Sequence, residues 1–252
     1  MLDKAKSTVV ETVRPSSGKR IATFVALAVA FIILLSLGTW QIERMHWKET
    51  LLADIEARRT APPMTVDQAM TRIAASEPVD YAAISVSGRF DHAHESYFLA
   101  THDGEPGFYV YTPMTMADGR VVLVNRGFVP EALKNPSSRP QGLAAGEAEV
   151  TGLARAKLEK KPSFVVPEND PGKNLYFWKD MDAMALSAGI DQQKLLPFFI
   201  DANDAPNPGG FPIGGVTQID FPNSHLSYAL TWYGLAAVLA IVAGLAWRRR
   251  AR

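Results

Sequence analysis

The chain has no cysteine. That excludes disulfides, thiolate-bound copper or zinc and covalent attachment of a c-type haem, so any folded part outside lipid must rely on its own core. The G-x-S-x-G elbow, the H-E-x-x-H zinc pair and the glycine-rich phosphate loop are missing too, as are internal repeats and long low-complexity runs. There is also no net charge, because 26 Lys and Arg residues meet 26 Asp and Glu residues. Without a basic surplus, nothing points to nucleic acid as a partner.

What the chain does have is two long apolar runs, one near each end. Ile21 to Trp40 reads IATFVALAVAFIILLSLGTW, and Leu226 to Trp247 reads LSYALTWYGLAAVLAIVAGLAW. Each has about the 20 residues that an α-helix needs to cross a hydrocarbon core roughly 30 Å thick. The expected layout is a tail (1–20), a first span (21–40), a β-rich domain entered by a juxtamembrane helix (41–225), a second span (226–247) and a basic tail (248–252). The lipid bilayer is therefore the first expected partner.

Charge sorted by segment gives an orientation. Lys4, Lys6, Arg14, Lys19 and Arg20 precede the first span, against Asp3 and Glu11, while Arg248, Arg249, Arg250 and Arg252 follow the second. Removing those flanks leaves 17 basic and 24 acidic residues, a middle near −7. Short basic flanks stay in the cytoplasm, which puts both termini there and the acidic domain across the membrane. The expected place is a bacterial inner membrane with the domain in the periplasm; a mitochondrial intermembrane space is the other option. The first run exceeds the usual core of a cleaved signal peptide, the alternative reading with Ser36-Leu37-Gly38 as a poor cleavage site.

Between the spans the periodicity changes. An interrupted apolar stripe (Ile42, Met45, Leu51, Leu52, Ile55) carries the first helix on to Arg59, and Ala61-Pro62-Pro63 stops it. A short helix is expected at Thr65–Ala75 and another at Asp180–Gly189. Strands are expected at 81–90, 95–101, 108–116, 120–130, 147–153 and 198–202, with Asp118-Gly119 turning a hairpin. Asn203 to Gly215 is too rich in Pro and Gly for regular structure. The fold class is α+β membrane protein: two transmembrane helices flanking a mostly antiparallel β domain, with closure into a barrel-like form as one option.

Three constellations are candidates for chemistry. Trp40, Arg44 and Trp47 share a helical face at the exit of the first span, either as an interfacial anchor or, with Gln41, as a binding face for a partner or a propionate-bearing ligand. His225 falls on the first turn of the second helix, after Asn223 or Ser224 as N-cap. A neutral imidazole there is able to ligate a metal such as haem iron, with Tyr228, Trp232 and Leu235 along its face; the alternative is an interfacial histidine among belt aromatics. His92 and His94, joined by His102, offer a third group, either a metal site or a solvated turn. Arg126, in Asn125-Arg126-Gly127, is read as a binding residue at a strand end or a charge paired on the domain surface. Ala236, Ala240 and Gly244, at four-residue steps, suggest a packing face or ordinary span composition.

Five blocks in order carry a resemblance: LGTWQIERMHWKETLL (Leu37–Leu52), VSGRFDHAHE (Val86–Glu95), GFYVYTPMTMADGRVVLVNRGFVP (Gly107–Pro130), NLYFWKDMDAMA (Asn174–Ala185) and FPNSHLSYALTWYGLA (Phe221–Ala236). With the two-span layout they resemble the surfeit locus protein 1 family, membrane assembly factors of cytochrome c oxidase. The resemblance implies a non-enzymatic role in maturing the catalytic subunit of a haem-copper oxidase at the step where haem a enters. It makes that subunit the expected partner, admits haem a synthase as another, and carries a haem-ligand role onto His225. A haem-independent chaperone or scaffold for the nascent subunit is the alternative. The family usually has Trp where this chain has Phe128, and often two Asn where it has Asn223-Ser224.

Overall fold

The computed structural model describes residues 17–219 and 222–251. Most of the tail expected at 1–20, Phe221 and Arg252 lie outside the described residues. The chain divides into two compact units: one combines the segment up to Leu51 with the segment from Phe221 onward, and the other is Leu52–Asp220.

The helical unit holds most of α1 (Ser17–Thr60) and all of α4 (His225–Ala251). Helix α1 runs without a break through the expected span and juxtamembrane stretch, and it ends where Pro62 and Pro63 remove two backbone donors. Both helices are long and apolar enough to cross a membrane. Phe24, Ile32, Val238 and Ile241 are more than half exposed in the protein itself, an apolar surface that lipid would cover. The helices touch through small residues. Gly38 lies against the ring of Tyr233, where an added Cβ would come within 2.7 Å of it, and Ala229 and Ala236 are buried. Of the stripe expected at Ala236, Ala240 and Gly244, only Ala236 is covered. Ser224 accepts the first helical bond of α4, from the Tyr228 N–H (3.3 Å).

The second unit opens with α2 (Val66–Ala74), started by a reciprocal cap between Thr65 and Gln68. Six strands follow: β1 (Ala83–Phe90), β2 (Ser96–His102), β3 (Glu105–Thr115), β4 (Val121–Pro130), β5 (Glu147–Ala156) and β6 (Leu195–Ala202), with α3 (Met181–Ser187) between the last two. The sheet order is β1-β5-β6-β4-β3-β2, and a further pairing of β1 with β3 closes β1, β5, β6, β4 and β3 into a five-stranded barrel. Strand β2 remains outside, on β3. Only the β4–β6 pair is parallel. Strands β3, β5 and β6 each extend three residues beyond the expected bounds: β3 because backbone pairing continues where the apolar pattern stops, as in Glu105 with His102, and β6 because Leu195 and Leu196 join the packed clusters across Pro197.

Strands β4 and β6 read as continuous apolar runs because both of their faces are covered. On one face Val122, Val124, Phe198 and Ile200 meet Ile84, Val86 and Met114 under α2; on the other Leu123 and Phe199 meet Tyr111, Tyr176 and the α3 residues Met181 and Met184. The pairing of β3 with β4 slips between Tyr109↔Phe128 and Tyr111↔Asn125, so β4 carries one extra residue there. Gly127 takes φ +115° at this bulge, and a Cβ on it would sit 1.8 Å from the Ile213 carbonyl oxygen. Asn125 Oδ1 accepts the Gly127 N–H (3.1 Å) and Asn125 Nδ2 donates to Asp201 (2.9 Å). The Asn-Arg-Gly triplet thus builds the bulge, and Arg126 faces inward by the same alternation as Val122 and Val124, its guanidinium 4.9 Å from the Phe90 ring centroid. The segment 203–215 is ordered across it, with Phe128 and Ile213 exchanging both backbone hydrogen bonds. Phe128 is buried among Tyr109, His102 and Gly107, an apolar seat that needs no hydrogen bond from its ring.

Candidate functional site

The helix pair carries the candidate site. Along α1, Gly38, Gln41 and Lys48 fall on one stripe, at successive spacings of three and seven residues, and all three reach α4 or the turn before it. Gln41 Oε1 lies 2.7 Å from His225 Nδ1. A carbonyl oxygen only accepts, so Nδ1 carries the proton and the lone pair of the neutral ring sits on Nε2. Among the described residues Nε2 has no partner. Lys48 donates to the Pro222 carbonyl just ahead of α4, and Thr39 and Tyr233 share a hydroxyl hydrogen bond of 3.1 Å. Three polar contacts and one glycine therefore fix the entrance of α4 against α1.

The neighbouring stripe of α1 is the aromatic one. Trp40 and Trp47 are both about half exposed, and the Arg44 guanidinium stacks 4.3 Å from the Trp47 ring centroid. Among the described residues Arg44 meets no carboxylate. On α4, Tyr228 is exposed and Trp232 half-buried, one and two turns beyond His225. The structure thus joins His225 to Gln41, and it places Trp40 and Arg44 on the adjoining stripe and Tyr228 and Trp232 on α4 itself. Gln41, read from sequence as a contact for a partner or ligand, instead orients the histidine. The signal that finds it is its position one turn beyond Gly38, the small residue at the helix contact.

The histidines of the second unit take separate partners. His92 Nε2 donates to the Ala144 carbonyl (3.2 Å), its Nδ1 lies 3.4 Å from Glu95, His94 pairs with Asp91 (2.6 Å), and His102 sits 3.7 Å from Asp103. Among the described residues no three His, Asp or Glu side chains come together as a metal site.

Arg126 is neither a surface charge nor open to a ligand. It is buried, donates to the Gly142 carbonyl (2.5 Å) and Asn207 (3.2 Å), and lies 3.9 Å from Glu95. Burial pushes its guanidinium down to about 10, with Glu95 pulling it back up. Glu95 is also buried and takes a hydrogen bond from Tyr97 (3.0 Å) and a charge-assisted pair from Arg139. Burial alone would raise its carboxyl, but the bonds from His92, Arg139 and Tyr97 outweigh that and hold it below the ordinary value.

The model of the SURF1 family matches residues 28–237, from within the first span to within the second. Surfeit locus protein 1 of Rattus norvegicus is 38% identical over 218 residues, covering 80% of this chain and 68% of its own. Surfeit locus protein 1 of Homo sapiens is 37% identical over 218 residues, 80% of this chain and 69% of its own. The SURF1-like protein of Monosiga brevicollis is 38% identical over 226 residues, 84% and 83% of the two chains. With the family model spanning both long helices and the whole barrel between them, the chain belongs to the SURF1 family.

Proposed function

We propose that this protein is a cytochrome c oxidase assembly factor that holds haem a, as cargo, at the head of its helix pair and releases it to the catalytic subunit of the oxidase. The observation that carries the reading is the 2.7 Å contact between Gln41 Oε1 and His225 Nδ1. It supports the tautomer whose lone pair lies on Nε2, the atom that would ligate the haem iron, and proteins commonly orient such a histidine in this way. The surroundings suit a macrocycle that is apolar on its faces and acidic at one edge. Tyr228 and Trp232 offer flat apolar surface, Trp40 adds another aromatic, and the Arg44 cation, which meets no carboxylate among the described residues, is the group that would meet a propionate. A single protein ligand suits reversible holding, because release breaks one coordinate bond. No bond of a substrate needs to be made or cut, so the role is not enzymatic.

The basic flanks support an orientation with both termini in the cytoplasm and the barrel in the periplasm of a bacterial inner membrane. That puts the His225 end of α4 at the periplasmic edge of the bilayer, beside the membrane-embedded subunit it would serve, and haem a synthase would be the donor. The test is purification of the full chain in mild detergent from cells making haem a, followed by redox absorption spectra and pigment extraction. Near-stoichiometric haem a is expected, lost in His225→Ala and reduced in Gln41→Leu. A colourless, well-folded protein that still co-purifies with the oxidase subunit would replace this reading with that of a haem-independent scaffold.

A further inference from the structure

A second site lies within the barrel unit, and none of its lining residues belongs to the helix pair. A cleft of about 270 Å³ opens between β2, the end of β5 and the segment leading into α3, lined by Phe98, Arg155, Leu158, Phe177, Trp178 and Lys179. Its aromatic wall is built in advance. Tyr176 pairs with β2 as a short extra strand, donating to the Tyr97 carbonyl (2.9 Å) and accepting from the Leu99 N–H (2.8 Å). Asn169 then clamps the next two residues: its Oδ1 accepts from the N–H groups of Phe177 (2.8 Å) and Trp178 (3.2 Å), and its Nδ2 donates to the Trp178 carbonyl (3.2 Å).

The polar groups of the cleft are unevenly satisfied. Arg155 is fully engaged, with Asp80 (3.0 Å), Asp201 (3.2 Å) and the Tyr81 hydroxyl (3.2 Å). Asp201 also accepts from Asn125 (2.9 Å) and Thr217 (3.0 Å), so its oxygens are crowded. Lys179 arrives last, its ammonium 3.7 Å from Asp201 and 5.8 Å from the Tyr111 ring centroid. It holds three N–H donors and one long ionic contact. Beside it the indole N–H of Trp178 is buried with no acceptor among the described residues. Burial lowers the Lys179 ammonium, and the Arg155 charge adds to that, against the pull of Asp201 and Asp80. An ammonium with spare donors on the wall of an aromatic cleft calls for an acceptor with an apolar body.

We propose that this cleft binds a small monocarboxylate, its carboxylate on the Lys179 ammonium and its apolar body against Phe98, Phe177 and Trp178. At roughly 30 Å³ for each water-sized group, the space takes a body of about nine heavy atoms, the size of an arylalkanoic acid or the carboxyl-terminal residue of a peptide. The site is independent of the helix pair, so it stands or falls apart from the proposal for His225.

The experiment uses the full chain in mild detergent with 15N-labelled tryptophan indoles. Trp178 is the one tryptophan of five outside α1 and α4, so its N–H resonance is assigned by loss in Trp178→Phe. The probes are 3-phenylpropionate, its uncharged amide and N-acetylphenylalanine. The expected result is a saturable shift of the Trp178 resonance with the acids and at least about ten-fold weaker response to the amide. A tighter response to N-acetylphenylalanine would point to a peptide carboxylate, and to 3-phenylpropionate a free acid. Lys179→Met, which keeps the stem and removes the charge, should abolish the preference for acid over amide. Should that variant not fold, the acid–amide contrast in the parent protein decides. No shift at millimolar acid, or equal shifts with acid and amide, would overturn the proposal.

Discussion

Glu95 in the barrel and His225 at the head of α4 are both polar residues inside family-like blocks, yet their surroundings are opposite. Glu95 is buried, and the Tyr97 hydroxyl, the Arg139 guanidinium and His92 converge on its oxygens. His225 is half-exposed and has one ring nitrogen on Gln41, with its other nitrogen open. The first residue has used its bonding capacity on the protein, and the second has kept half of it for something else. Polarity at an unusual position does not by itself mark a site; polarity with an unused donor or acceptor does. The same test separates Arg155, which is fully engaged, from Lys179 beside it.

The largest expected effect comes from emptying the satisfied node. Glu95→Ala leaves Arg139 and Arg126 buried with no counter-charge, which should cost about 3–5 kcal/mol, read from urea unfolding of the full chain in mild detergent. The same carboxylate predicts a pH dependence. Its folded-state pKa lies below the ordinary 4.5, so the folded protein binds fewer protons than the unfolded one between those values. The stabilisation is therefore fully present above about pH 4.5 and is lost as pH falls through the depressed folded value. Glu95→Gln should remove that acid-side slope. Were Glu95→Ala to cost less than about 1 kcal/mol, full engagement would no longer mean structural importance.

The next effect tests the scaffold under the unsatisfied residue. Gly38→Leu places a branched side chain where even a Cβ would come within 2.7 Å of the Tyr233 ring. Overpacking of this kind costs about 1–3 kcal/mol, and here it should push α4 off α1. The absence of cysteine makes the readout clean: a Gln41→Cys, His225→Cys pair treated with a short bis-maleimide should cross-link efficiently, and several-fold less so with Gly38→Leu added. Unchanged cross-linking would mean that the helices do not meet through Gly38.

Much of this arrangement was legible in the sequence, for reasons that differ by region. The spans were readable because a run of about 20 uncharged residues has few other uses, and the β3–β4 hairpin because Asp118-Gly119 allows few other turns. Ring closure was not readable: it depends on two residue pairs, Arg89 with Thr115 and Phe90 with Met114, which look like any strand end. Arg126 was placed at a strand end or on the surface because an arginine is rarely buried; it faces inward by the same alternation as Val122 and Val124, and its partners Glu95, Gly142 and Asn207 come from distant segments. His225 was picked out by its position on the first turn of a span, but Gln41, 184 residues away in sequence, gains its role only once the two helices pair. The Lys179 cleft left no sequence signal at all, since its lining comes from three separate segments.

The smallest effect is the one that most sharpens the comparison. His225→Ala removes a single side-chain hydrogen bond at the start of a helix, in a half-exposed place where Gln41 can turn to water or headgroups. Polar contacts between membrane helices average about 0.6 kcal/mol, so the thermal unfolding and helix cross-linking of this variant should hardly differ from those of the parent. Gln41→Leu should be equally mild, because it leaves the Thr39–Tyr233 and Lys48–Pro222 contacts in place. Such mildness is informative because the residue is costly to keep: an imidazole near the membrane edge that adds little stability needs another reason to be there. If His225→Ala instead lost as much as Glu95→Ala, the imidazole would belong with Glu95 as part of the structure. The open Nε2 would then be an incidental feature of a helix cap, and the two residues would no longer differ in kind.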